Sequence, residues 1–120
     1  LPILAHMPGL DLAAARHPEV TFIAAHANWE RAQRFIEMPN VCFDFATGHA
    51  LRQETQLKRF VEAAGSHRVL YGSDGLLISP QWSLAKLLDA DLPPASQAAI
   101  LRGNAYRVFP KLALGSDEPS

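Results

Sequence analysis

The sequence predicts an α/β domain built on a parallel sheet. Short apolar runs alternate with helical patterns four times along the chain. The runs are almost continuously apolar instead of alternating, which is the pattern of strands buried on both faces. Polar residues of a restricted kind, His and Asp, stand at or just after the ends of these runs.

The first run is Pro2-Ile3-Leu4-Ala5, closed by His6 and broken at Pro8-Gly9. Asp11 is expected to start a helix over Leu12–His17, which Pro18 ends. Val20–Ala25 is the second strand, β-branched and aromatic, closed by His26. Asn28 is a fitting N-cap for a helix to about Glu37. Val41–Ala46 is the third strand, stopped at Thr47-Gly48. Leu57, Phe60, Val61 and Ala64 follow the i, i+3, i+4, i+7 spacing of an amphipathic helix, with Gly65 as its C-terminal cap. Arg68–Tyr71 is the fourth strand and runs into Gly72-Ser73-Asp74-Gly75. Ser79-Pro80 reads as N-cap and first helical position, with Leu84, Leu87 and Leu88 on the buried side. Pro94 starts another helix carrying Ile100 and Leu101, and Asn104–Phe109 forms a short last one. Residues 1–110 make one domain, and 111–120 form a polar C-terminal tail.

The chain has 120 residues, enough for a small domain with a core of its own. Eleven Lys and Arg face twelve Asp and Glu, and the formal charge of −1 points to neither nucleic acid nor an anionic membrane as partner. The apolar runs are too short to span a bilayer, and no run has the make-up of a signal peptide. The single cysteine, Cys42, lies in an apolar strand; it is expected to be a buried, inert thiol, compatible with a cytoplasmic location. The chain opens on Leu1, directly on an apolar run, as expected of a processed chain or a piece of a longer one.

In parallel α/β architectures ligands and reactive groups gather at the carboxyl ends of the strands, and adjacent strands lie about 4.8 Å apart. His6, His26 and Asp74 can therefore converge although they are far apart in sequence. Imidazole nitrogen and carboxylate oxygen suit zinc or another divalent transition metal, and a carboxylate beside an activated water can take its proton. The competing reading of Ser73-Asp74-Gly75 is an ordinary turn, with Asp bonding the backbone and Gly taking positive φ. His17 and His67 lie at the amino ends of strands and are expected to be solvent-exposed. His49 follows the third strand, where a minor substrate role is open to it. For Asp44, inside the third strand, a structural role is favoured. Trp29 and Trp82 either line a pocket or serve helix packing.

Taken in order, "PILAHMPG", "VTFIAAHANWE", "MPNVCFDFATG", "HRVLYGSDG" and "ILRGNAYRVF" resemble the C-terminal half of the amidohydrolase-related family, the metal-dependent hydrolases and decarboxylases of the amidohydrolase superfamily. The similarity runs from Pro2 to Phe109. It implies the C-terminal half of a (β/α)₈ TIM barrel: four βα units plus closing helices. It implies His6 as a metal ligand, Asp74 as metal ligand and proton acceptor, and His26 as the acid/base group. By its position just past His26, Trp29 is the candidate substrate contact. The implied cofactor is a divalent metal, zinc or alternatively manganese. Ala27-Asn28-Trp29 stand where the family often has Gly, and no His-x-His pair, normally two of the metal ligands, occurs in the sequence. A whole barrel takes about 250 residues. The implied activity is hydrolysis of a C–N or C–O bond in a small molecule, with non-oxidative decarboxylation of an aromatic or unsaturated acid as the alternative. A non-catalytic remnant is the reading from another class. Four strands cannot close a barrel, so an N-terminal half-barrel or a second copy is the expected partner, and the isolated half is expected to be inactive.

Overall fold

The computed structural model describes residues 1–46 and 54–112, with Glu54 and Thr55 as backbone only. Thr47, Gly48, His49 and residues 113–120 of the expected tail lie outside the described residues. Four strands, β1 (Ile3–His6), β2 (Phe22–Ala25), β3 (Val41–Asp44) and β4 (Val69–Leu70), form one sheet in the order β1-β2-β3-β4. All three pairings are parallel. Between them run α1 (Leu10–Arg16), α2 (Trp29–Ile36) and α3 (Glu54–Ala64), the last followed by a 3₁₀ turn at Ser66–Arg68. After β4 come α4 (Pro80–Asp89), α5 (Pro94–Ala98) and α6 (Asn104–Val108). This is the repeating strand–helix arrangement expected from the sequence.

Local chemistry accounts for the helix limits. Asn28 caps α2, its side-chain oxygen accepting from the N–H groups of Glu30 (3.0 Å) and Arg31 (3.4 Å). Ser79 caps α4, with Pro80 in the first turn. Gly65 ends α3 at φ 91°, a conformation costly for any residue with a Cβ. The first helix departs from expectation. It starts at Leu10 behind Gly9 in a left-handed conformation (φ 79°), and Asp11 sits in its first turn. Gly9 reaches that conformation without strain, so the turn needs no side-chain cap.

Because paired residues in a parallel sheet share a face, the register sorts the side chains into two layers. Phe22, Ala24, Val41, Phe43 and Val69 pack under α1–α3 with Leu10, Phe35, Leu57 and Phe60. Ile23, Cys42 and Leu70 face the other way and are covered by Ala105 and Val108 of α6. Burial raises the pKa of the Cys42 thiol, although Arg107 and Arg68 act in the opposite direction. Strand β1 is a sheet edge, and Ile3 and Leu4 are 47% and 63% exposed. The far edge is partly closed, since the N–H of Tyr71 donates to the carbonyl of Ile100 (3.1 Å).

Two expectations about the C-terminal helices are corrected. Of the leucines expected on the buried side of α4 only Leu87 is buried; Leu84 and Leu88 are 37% and 53% exposed. The helix packs chiefly on α3, through the narrow stripe of Ser83 and Leu87 one turn apart, so the flanking leucines face outward. The two expected last helices are continuous, joined by a π-helical segment at Ala99–Gly103 in which Ile100 is buried and Leu101 is exposed. Asn104 pins this helix to the start of β4, its amide donating to the carbonyls of Ser66 (2.6 Å) and Val69 (2.7 Å). Of the expected tail, Lys111 and Leu112 belong to a helical turn with Pro110.

Candidate active site

The strand ends are level. His6 pairs with Ala25, and Asp44 with Leu70, so these four positions lie on the same side of the sheet near its carboxyl rim. His26 is the next residue after β2, and Asp74 follows β4 by four positions. The His6 and His26 rings stack with centroids 5.2 Å apart and planes 30° apart. Nδ1 of His26 lies 4.0 Å from Oδ2 of Asp74, with both side chains about one-third exposed (32% and 31%). That separation is too long for a hydrogen bond and is an ion-pair contact only when the ring is protonated. The structure thus brings His6, His26 and Asp74 to one rim.

Backbone conformation marks two of these residues. Among the described residues three non-glycines have positive φ: His26 (56°), Asp74 (58°) and Asp91 (52°). Asp91 lies after α4, beside Lys58 at 3.3 Å. The left-handed region costs a residue with a Cβ about 1–3 kcal/mol, and such strain clusters at functional sites. In a plain Ser-Asp-Gly turn Gly75 would take the positive φ; here Asp74 takes it, and its carbonyl accepts from Leu77 (2.8 Å) and Ile78 (3.1 Å). Gly72 eases a close approach: a Cβ there would stand 3.2 Å from that of Ala46 and 3.3 Å from that of Asp44, tighter than most such contacts. Gly75 is under no comparable constraint.

Asp44 holds His26 in place. Its Oδ1 accepts from the N–H groups of both His26 and Ala46, each at 3.0 Å, and its carbonyl accepts from Ala27 at 2.7 Å. Nδ1 of His26 lies 3.2 Å from the carbonyl of Ala46. A carbonyl can only accept, so in the neutral ring Nδ1 carries the proton and Nε2 holds the lone pair. Asp44→Ala is expected to cost about 2–3 kcal/mol in urea unfolding, because it strands two backbone donors. Asp44→Asn keeps an acceptor oxygen and should lose less than about half of that. Equal losses for the two variants would assign the effect to charge instead of to these bonds.

Other candidates are placed as follows. Trp29 does not line the cavity beside the two histidines. It is half-buried and packs edge-on against Phe60 (6.2 Å) under the guanidinium of Arg59 (4.6 Å), which is the helix-packing arrangement. The cause is its position at the start of α2, which points the ring toward α3. Trp82 is exposed, as are His17 and His67. Sequence reasoning missed Arg31, which lines a 340 Å³ cavity with His6, Ala25, His26 and Asn28. A second cavity of 310 Å³ is lined by Asp44, Gly72, Ser73 and Asp74. A larger, mostly apolar cavity of 800 Å³ lies between Leu1, Val20 and Phe109 at the opposite rim, away from His6, His26 and Asp74.

Imidazole and carboxylate are the right donor types for a divalent metal. In number they fall short: among the described residues no three His, Cys, Asp or Glu gather closely enough to hold one. No helix among the described residues is long and apolar enough to cross a membrane.

Known structures share this architecture. An uncharacterized TIM-barrel protein from Bordetella bronchiseptica superposes with a TM-score of 0.74 at 19% identity, over 94% of this chain and 47% of that one. A zinc-bound amidohydrolase from Burkholderia multivorans gives 0.68 at 19%, over 91% and 51%. The 5-carboxyvanillate decarboxylase of Sphingomonas paucimobilis gives 0.63 at 16%, over 87% and 37%. The chain thus spans about half the length of the first of these or less, and its fold is part of an α/β barrel. No curated protein matches it. The amidohydrolase family model matches residues 2–111, through all four strand ends and the closing helix, and the chain belongs to that family.

Proposed function

We propose that these residues are the second half of a catalytic barrel that hydrolyses a C–N or C–O bond in a small molecule with the help of a divalent metal. The observation that carries this reading is the meeting of His6, His26 and Asp74 at the carboxyl rim, with His26 and Asp74 both in the left-handed conformation. His6 and Asp74 are the two donors this chain offers a metal. A catalytic zinc site takes three protein ligands, so the remainder comes from the other half of the barrel or from a second copy. The exposed edge of β1 is where such a partner would pair. When bound, the metal supplies Lewis-acid polarisation of an oxygen atom.

The chain's own residues handle the proton. Asp74 accepts the proton of the attacking water on a carboxylate oxygen. His26, with Nδ1–H held by the Ala46 carbonyl, presents Nε2 to the water or the leaving group. Asp44 keeps that ring oriented through the backbone of residues 26 and 46.

The test is metal analysis of the purified full-length protein and its His6→Ala and Asp74→Ala variants, together with turnover of lactones and cyclic amides. Stoichiometric metal in the wild type and its loss in both variants are expected; full metal content in both variants would refute the ligand assignment. The second reading, decarboxylation, draws support from the fold shared with 5-carboxyvanillate decarboxylase. Release of CO₂ from an aromatic acid, with no turnover of lactones or amides, would favour it.

A further inference from the structure

The cavity beside His6 and His26 contains a cation that the proton chemistry does not use. Arg31 lies in the first turn of α2, lines the 340 Å³ cavity, and is exposed. Its backbone N–H is taken up by Asn28. Among the described residues its guanidinium has no hydrogen bond, ion pair or ring contact. The other arginines of α2 and α3 show the contrast. Arg34 lies 3.9 Å from Asp11 and over the ring of Phe35, and Arg59 lies over Trp29. Two carboxylates stand at this rim: Asp74 lies against the His26 ring and Asp44 accepts from the His26 N–H, and both line the neighbouring cavity, not this one. The cavity's described lining therefore carries two imidazoles and a guanidinium, and no carboxylate.

We infer that this cavity binds a carboxylate group of the substrate, held by Arg31. A guanidinium offers a planar fork of donors that matches a carboxylate in two parallel hydrogen bonds, and its charge is permanent. A volume of 340 Å³ is at the small end of cavities that take small molecules. A carboxylate fixed there directs the rest of the molecule toward His26 and Asp74, whose separation is 4.0 Å. The substrate class is a small organic acid with its scissile bond away from the carboxylate. This rests on reading the His6–His26–Asp74 rim as a small-molecule site, and it adds the charge that the molecule must carry.

The experiment uses the full-length protein carrying this chain, with benzoate and its neutral isostere benzamide as probes. Binding is followed by NMR through the imidazole signals of His6 and His26. Benzoate is expected to shift both sets of signals, and benzamide to bind at least about tenfold more weakly. Arg31→Gln should weaken benzoate by a similar factor and leave benzamide unchanged, while Arg16→Gln, on α1, should change neither. Equal binding of the two probes, or full benzoate affinity in Arg31→Gln, would overturn the inference. Zinc content measured on the same samples separates this outcome from the fate of the hydrolase reading. Zinc retained without preference for benzoate removes the carboxylate site alone. Benzoate preference without zinc leaves the carboxylate site standing and removes the metal.

Discussion

Replacing Arg68 with Ala is expected to lower the unfolding free energy by about 3–5 kcal/mol, a large part of a small domain's stability. Arg68 is buried, and its side chain joins three elements. Nε donates to the carbonyl of Val41 (2.9 Å) at the start of β3. Nη1 donates to Ile36 (2.6 Å) and Ala64 (3.4 Å), and Nη2 to Phe35 (2.9 Å) and Met38 (2.7 Å). Four of these carbonyls lie at the C-terminal ends of α2 and α3 or just beyond, where backbone acceptors lack helical partners. One guanidinium thus closes two helix ends and the entry to a strand, while resting 5.3 Å from the ring centroid of Phe43. Burial lowers its pKa from the usual arginine range, the cost of keeping a charge away from water. Ala removes all five donations at once. Arg68→Lys keeps the charge but has a single ammonium, which cannot span acceptors on three elements, and should recover less than about half of the loss. Urea unfolding of the three proteins measures this; a loss below about 1 kcal/mol for Ala would show that water replaces the guanidinium without cost.

On the proposed role of Asp74 as proton acceptor, Asp74→Asn in the full-length protein is expected to reduce kcat by about 10²–10⁴ while leaving the fold intact. The Asn side chain is of similar size, and Asn tolerates the left-handed conformation (φ 58°) that Asp74 adopts. Its amide nitrogen cannot take a proton from water and is a poor metal donor. The contrast with Asp44→Asn is informative, since Asp44 works as an acceptor of backbone N–H bonds and its amide retains that capacity. Steady-state kinetics on both variants, with circular dichroism to confirm folding, measure the difference. Equal kcat losses at positions 44 and 74 would place the essential carboxylate effect in positioning instead of in proton transfer.

Much of this architecture is written locally. The apolar runs give β2 and β3, Asn28 and Ser79 give the helix starts at their own positions, and Gly65 gives the end of α3, because each depends on neighbours within a few residues. Where the sequence reading slips, a longer-range contact decides. Leu84 and Leu88 fit a helical stripe as well as Leu87 does, and packing chiefly on α3 selects Leu87. For Trp29 the sequence leaves pocket wall and helix packing both open, and its contacts with Phe60 and Arg59 are visible only in the tertiary structure. Arg68 looks like the start of a strand, since its acceptors at residues 35–41 lie 27 to 33 positions away.

The candidate site divides along the same line. The sequence by itself determined which residues stand at the strand ends, and so named His6, His26 and Asp74, because a strand's end is a local event. Only the tertiary structure decided that the ends are level, that Asp74 takes the left-handed conformation in place of Gly75, that Asp44 anchors the loop of His26, and that Arg31 shares a cavity with both histidines. Those are relations between different strands and helices. They are set by parallel register and by helix packing against the sheet, which no single segment encodes.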